Sequence, residues 1–122
     1  MTAAAKGVTV YGLPHCTTCQ KAVAYLEQKG VRVERFHDVK AERLSEEEVR
    51  GLAERVGGAE RLFSKRARKY RSLGLHEREL SEEEMLRLMA EEYTFITRPV
   101  VVADGGAVAG FAPRRIDALL DA

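Results

Sequence analysis

The sequence predicts an α/β domain. A four-stranded mixed sheet carries helices over it, and a helical insertion at about 41–95 separates a βαβ half from a ββα half. Three observations lead there. An apolar run at 8–11 and an alternating run at 31–36 flank a helical pattern, which is a βαβ unit with a right-handed crossover. A buried-type run at 98–103 is followed by Asp104, Gly105 and Gly106, a hairpin signal, and then by a return run at 107–111. Between the halves stand two Ser-Glu-Glu-Glu sequences, each reading as a helix start.

Each element has its own warrant. Val8, Thr9, Val10 and Tyr11 are β-branched or aromatic and suit a short buried strand. Gly12 to Cys16 reads as a loop containing Pro14, and Thr17 or Thr18 offers a hydroxyl to cap the following helix. That helix spaces Ala22, Val23, Tyr25 and Leu26 along one face and stops at Gly30. The run 31–36 alternates apolar and charged residues, as a half-buried strand does. In the insertion, Ser45 with Glu48 caps a helix that carries Val49, Leu52, Ala53 and Val56 and ends at Gly57 and Gly58. The stretch 59–70 is expected to be helical. Ser81 with Glu84 opens another helix, with Met85, Leu86, Leu88 and Met89 inward as core filler. Gly110 marks a close approach of backbone or ligand, and Pro113 suits the first turn of a last helix with Ile116, Leu119 and Leu120 on its face. With the insertion removed, the order β-α-β, β-β-α is thioredoxin-like, or glutaredoxin-like.

Bulk properties narrow the function. The chain has 122 residues, enough for a single domain over 1–122 with one modest core. Net charge is +1, so no global field favours nucleic acid or an anionic membrane. No apolar run approaches the roughly 18 residues needed to span a bilayer, and the N-terminal stretch 1–7 lacks a signal-peptide core. These features predict a cytoplasmic protein without direct nucleic-acid or membrane binding. The basic run 65–71 has one stacking aromatic, Tyr70, and acidic neighbours, so it reads as a solvated helix face or a partner surface. His37 and His76 suggest no role.

The chemistry lies in the two cysteines, Cys16 and Cys19, where the first strand hands over to the first helix. Residues at i and i+3 share a helix face. If the helix starts near Thr17, its free N–H groups and dipole favour a thiolate on Cys16, below the free thiol pKa of about 8.5. His15 would add to this if protonated. Cys19, deeper in the helix, would stay a thiol and could attack a mixed disulfide formed on Cys16. A C-x-x-C pair at such a handover reads as a thioredoxin-like redox motif. Zinc needs about four ligands, and the sequence has neither a second cysteine pair nor an H-x₃₋₅-H spacing. A structural disulfide would close too short a loop to stabilise much. Two inert core thiols are the remaining plain reading.

Four blocks then carry a family resemblance. They are Y-x-x-P-x-C-x-x-C-x-K-A from Tyr11 to Ala22, L-F-S-K-R at 62–66 with Y-R-S-L-G-L at 70–75, I-T-R-P-V-V-V at 96–102, and V-A-G-F at 108–111. Together and in this order they resemble the ArsC/Spx family. The resemblance implies a thioredoxin-like fold with a helical insertion, and a cis Arg98–Pro99 bond that sets Pro99 beside Cys16. In the family's arsenate reductases the first cysteine attacks arsenate, three arginines hold the oxyanion, and glutaredoxin with glutathione resolves the adduct. Arg98 falls on one of those arginines. Ser64 falls on another, with Arg66 two residues on, and Val108 stands near the third. Each missing charge-assisted hydrogen bond would cost about 1.5–3 kcal/mol of oxyanion binding. The Spx branch pairs a C-x-x-C with a Ser-x-Arg in the insertion and a glycine–aromatic pair near the end. Cys16 and Cys19, Ser64 and Arg66, and Gly110 and Phe111 resemble those.

The resemblance thus implies a small thiol–disulfide redox protein with Cys16 as nucleophile and Cys19 as resolving thiol. Arg98 and Arg66 would bind substrate or anion, Arg98 also favouring the Cys16 thiolate as a positive neighbour. Neither a metal nor a bound cofactor is expected. Glutathione, glutaredoxin or thioredoxin would serve as electron donor, and a thiol or disulfide protein or a small thiol as partner. The alternative is an Spx-like redox-sensing regulator that binds the RNA polymerase α subunit. The further alternative is a glutathione/glutaredoxin-dependent arsenate reductase.

Overall fold

β1 (Val8–Gly12) orders the sheet. In a computed structural model that describes residues 7–104 and 106–121, it pairs parallel with β2 (Val33–Asp38) on one side. On its other side it pairs antiparallel with β3 (Val100–Ala103), which pairs antiparallel with β4 (Gly106–Ala109). The resulting order, β2-β1-β3-β4, is the predicted four-stranded mixed sheet. α1 (Thr17–Gln28) makes the crossover from β1 to β2, and α6 (Pro113–Asp121) follows β4. The strands and these two helices belong to one compact unit, formed by the chain up to Glu42 and again from Arg98. A second compact unit is Arg43–Thr97.

The first unit is held by a core of Val8, Val10, Leu26, Val31, Val101, Val108 and Ile116. Apart from Val31, in the turn after α1, these are apolar positions of β1, β3, β4 and both helices, so one cluster fixes α1 and α6 to the sheet. A polar contact adds to this. The Tyr25 hydroxyl donates to the Asp117 carboxylate at 2.6 Å, and Lys29 reaches the same carboxylate at 3.1 Å. α1 ends in a left-handed turn at Gly30 (φ +78°), where the Gly30 and Val31 N–H groups donate back to the Glu27 and Leu26 carbonyls, each at 3.0 Å.

That turn moves the next strand from where alternation puts it. Val31 is still engaged in closing the helix, so β2 begins at Val33 instead of position 31. At its far end β2 continues to Asp38 and takes in His37, which is 8% exposed. His37 stacks on Tyr11 with centroids 4.9 Å apart, and its Nε2 lies 2.8 Å from the Glu42 carbonyl, consistent with Nε2–H donating. β3 likewise begins at Val100, not at 98, because Pro99 has no N–H to give the ladder. β4 covers Gly106–Ala109 instead of 107–111, since Gly110 turns away at φ +87° and donates its N–H to the Pro99 carbonyl at 2.7 Å. Residues 1–6 and Gly105, on which the signal-peptide and hairpin-turn readings partly rest, lie outside the described residues.

In the second unit both capping boxes are present. Ser45 Oγ accepts from the Glu48 N–H at 3.1 Å while Glu48 accepts from the Ser45 N–H at 2.9 Å, opening α2 (Glu46–Val56). Ser81 and Glu84 do the same for α5 (Glu82–Glu91), numbered here after α3 (Ala59–Leu62) and α4 (Arg68–Ser72). The single helix expected over 59–70 is broken in two. Phe63 is extended and forms a bridge with Ile96, the Ser64 N–H donates to the Phe95 carbonyl, and the Thr97 N–H donates to the Leu62 carbonyl at 2.8 Å. Phe63 also stacks on Phe95 at 5.1 Å, so a long-range pairing outweighs local helix preference there. Among the described residues, no helix is long and apolar enough to cross a membrane.

Ile116 is fully buried in the first unit's core. Ile116→Ala should therefore lower unfolding free energy by about 2–5 kcal/mol, measured by urea denaturation. A loss of less than about 0.5 kcal/mol, the usual range for a surface change, would show that this helix does not seal the core.

Candidate active site

β1 ends at Gly12 and α1 begins at Thr17, so the loop between them is four residues, Leu13 to Cys16. The Cys16 N–H donates to the Leu13 carbonyl at 3.1 Å, and the Gln20 N–H donates to the Cys16 carbonyl at 3.0 Å. Cys16 is thereby the N-cap residue itself, with φ −82° and ψ 121°. Thr17 and Thr18, read from sequence as the cap, are instead the first two helical residues. The reason is that the sulfur-bearing residue already occupies the cap position. The Thr18 hydroxyl turns to the sulfur, with Oγ1 3.1 Å from Cys16 Sγ.

The two sulfurs sit in opposite environments. Cys16 is half-buried and Cys19 fully buried; both are free thiols. Partial burial pulls the Cys16 pKa upward. The Thr18 hydroxyl, the Cys19 thiol, and the backbone N–H groups of Cys19 and Thr18 pull it down, and their sum leaves it below the ordinary thiol value. No side chain closes a full cap hydrogen bond on α1, so these N–H groups remain available to an anion. Nor does the first turn carry a carboxylate to oppose one. At Cys19, burial dominates and the hydrogen bond with Cys16 adds to it, so the thiol is pushed up to about 12. The positive charge of Arg98 counts in the other direction at Cys19, as does a backbone hydrogen bond at Leu13, without reversing the shift. Deprotonation is thus directed to the outer sulfur.

Gly12 is what lets the inner sulfur in. A Cβ at Gly12 would stand 2.6 Å from Cys19 Sγ and 3.3 Å from the Cys19 Cβ and the Phe36 ring. The end of β1 therefore serves as the floor against which Cys19 packs. From the sequence Gly12 reads only as the start of a loop; its place at the end of the strand, four residues before the first cysteine, is the signal it left.

The remaining predicted site residues are placed as follows. The Arg98–Pro99 bond is cis, as the resemblance implied, and Pro99 is buried. Arg98 is half-buried, in the same unit as the cysteines. Arg66 is exposed in the other unit, where its backbone N–H donates to Ser64 Oγ at 3.3 Å. His15 is exposed on the loop before Cys16. Among the described residues, no three or more His, Cys, Asp or Glu side chains gather as metal ligands would.

A β2-β1-β3-β4 mixed sheet with a cysteine pair at the β1–α1 handover defines a thioredoxin-like α/β protein. The ArsC family model matches residues 11–119, and the chain belongs to the ArsC family. It is 34% identical to the uncharacterized protein YusI of Bacillus subtilis, over 85% of this chain and 90% of that one. It is 30% identical to the global transcriptional regulator Spx of Streptococcus mutans, over 93% of this chain and 82% of that one. Among solved structures, an arsenate reductase from Vibrio cholerae superposes with a TM-score of 0.83 at 26% identity, covering 94% of this chain and 98% of that one.

Two measurements test the site. Alkylation of Cys16 requires the thiolate, so its rate should rise with pH and reach half its plateau below the ordinary thiol range. Thr18→Val removes a donor to that thiolate and should move the midpoint up; an unmoved midpoint would show that the hydroxyl does not hold the charge. Gly12→Ala should cost about 1–3 kcal/mol by overpacking against Cys19, read from denaturant unfolding. A neutral result would mean that Cys19 does not rest on this backbone.

Proposed function

We propose that this protein is a thiol–disulfide oxidoreductase in which Cys16 attacks and Cys19 resolves. The observation that carries this reading is the division between the two sulfurs. The half-exposed one is lowered in pKa by the Thr18 hydroxyl and the helix N–H groups, and the buried one is raised to about 12. In the first step the Cys16 thiolate attacks one sulfur of a substrate disulfide. A Cys16–substrate S–S bond forms, and the other substrate sulfur leaves as thiolate with the bond's electron pair. In the second step Cys19 attacks Cys16, and its proton passes to the substrate sulfur that departs. A Cys16–Cys19 disulfide forms and the remaining substrate sulfur leaves. The substrate gains two electrons and the protein loses them. A dithiol or thiol donor of the glutathione, glutaredoxin or thioredoxin kind would return them.

Arg98 contributes positive charge near the pair and is the proposed anion-side residue of this unit. Pro99 is proposed as the structural neighbour that shapes the site floor, its carbonyl tied to the Gly110 N–H. The high pKa of Cys19 suits its role. A thiol that ionises only during the second step does not compete with Cys16 for the first.

A second reading rests on the similarity to the Streptococcus mutans Spx regulator. In it the same sulfur pair acts as an oxidation sensor, and the reduced and oxidised forms present different surfaces to an RNA polymerase α subunit. An arsenate reductase reading is weaker. By the resemblance Ser64 falls on one of the three arginine positions and Val108 near another, and Val108 is buried in β4 opposite Val101.

A Cys19→Ser variant leaves the mixed disulfide without its internal resolving thiol. Incubated with a cell extract, it should accumulate protein or small-thiol adducts on Cys16 that mass spectrometry identifies and dithiothreitol releases, whereas a Cys16→Ser variant should collect none. Equal, empty traps from both variants would overturn the oxidoreductase reading. Binding to an RNA polymerase α subunit that changes between reduced and oxidised protein would favour the regulator.

A further inference from the structure

We propose that α4 and the residues beside it form a docking surface for an acidic polypeptide segment that also brings an apolar side chain. The surface lies in the second unit. It gives the chain a protein partner that the thiol chemistry neither names nor requires.

The helix faces outward. No residue of α4 is buried. Tyr70 is the one that turns in, its ring edge-on to Phe63 with centroids 6.1 Å apart and 6.3 Å from that of His76. Successive helical residues step by about 100°. With Tyr70 inward, Arg68 stands on the opposite side, and Lys69 and Arg71 flank it, one on each side. All three are exposed, and Lys65 and Arg66 extend the exposed positive strip ahead of the helix. Leu73, the C-terminal cap residue of α4, lies one turn beyond Lys69. It is 59% exposed and, among the described residues, is the one large apolar side chain left so.

This charge is not balanced from within the chain. Among the described residues, Lys65, Arg66, Arg68 and Arg71 form no ion pair, and Lys69 forms one with Glu92 at 2.6 Å. By contrast, Arg32, Arg50 and Arg78 are paired with Glu34, Glu83 and Glu84. Arg68 and Arg71 are like charges at i and i+3, a spacing that opposes the helix carrying them. A chain with a net charge of +1 thus gathers uncompensated positive charge on one short element.

The strip is fixed at both ends. Ahead of it, Phe63 forms its bridge with Ile96, and the Arg66 N–H donates to Ser64 Oγ. Behind it, the Leu73 and Gly74 N–H groups donate to the Lys69 and Arg71 carbonyls at 3.0 and 2.9 Å, and Leu75 is buried. Cations on a fixed backbone lose less freedom on binding than cations on a loose loop. The pattern also selects the partner. Carboxylates answer the cations, and an apolar side chain covers Leu73 in the same contact. Nucleic acid answers the charge alone, because Tyr70, the single aromatic residue of 65–73, is engaged by Phe63 and leaves no platform for a base.

Fluorescence anisotropy tests this on the intact protein. The labelled probes are a glutamate-rich peptide containing leucine, the same peptide with serine for leucine, and an oligothymidylate. The leucine peptide should bind at low ionic strength and weaken at least about tenfold as salt rises from about 0.01 M to about 0.15 M, which shortens the Debye length from about 30 Å to about 8 Å. Arg68→Glu with Arg71→Glu should weaken binding at least about tenfold at about 0.1 M salt. Arg68→Gln with Arg71→Gln, which removes the charge and keeps helix propensity, should give an intermediate loss. Lys40→Glu with Arg114→Glu makes the same change in net charge at exposed positions of the first unit and should leave binding within about twofold. Leu73→Ser should weaken the leucine peptide about fivefold and leave the serine peptide unchanged. Absence of binding at low salt, equal weakening by the Lys40 and Arg114 pair, no effect of Leu73→Ser, or oligothymidylate binding as tightly as the leucine peptide would each overturn the proposal.

Discussion

A buried sulfur resting on a glycine is the contact that the candidate site depends on. Cys19 can occupy the interior of α1 only because Gly12, at the last position of β1, has no side chain in its way. That contact sets where the helix begins relative to the strand. It leaves Cys16 at the cap, where backbone N–H groups lack helical partners and a negative charge is favoured. Burial and exposure of the two sulfurs are consequences of one strand-to-helix handover. No separate device is needed to make one thiol acidic and the other resistant.

The sheet supplies the rigidity this arrangement needs. β1 lies between β2 and β3, so the strand that ends at Gly12 is hydrogen-bonded along both edges. Leu26 anchors the far part of α1 in the core, and the Tyr25–Asp117 bond ties the same helix to α6 across a sequence separation of 92 residues. A helix fixed at both levels presents its first turn in a defined place, which is what preorganised stabilisation of a thiolate requires. Burial of Cys19 also raises its pKa, to about 12.

Much of this was legible in the sequence because the signals were local. The C-x-x-C pair at a strand–helix boundary, the two Ser-x-x-Glu capping boxes and the glycine stops at 30 and 57 each depend on neighbours within a turn, and each forms as read. The failures lie where distant chain decides. The predicted helix over 59–70 gives way at Phe63 because Ile96 offers a backbone partner. His37 looked unremarkable as one histidine among charged residues, yet the end of β2 buries it against Tyr11. Alternation placed β2 two residues early because periodicity cannot show that Val31 is still closing a helix. At the site, the positions of Cys16 and Cys19 were readable. The roles of Gly12 as floor and Thr18 as donor to sulfur were not, since both are contacts made in three dimensions.

The central claim is that the two sulfurs ionise separately and in a fixed order. Titration of the reduced protein by thiolate ultraviolet absorbance tests it most directly. The account predicts one thiolate per molecule forming below the ordinary thiol range, absent in a Cys16→Ser variant, with the second sulfur still protonated until the solution nears pH 12. Two thiolates appearing together in the ordinary range, or the first step surviving loss of Cys16, would contradict it.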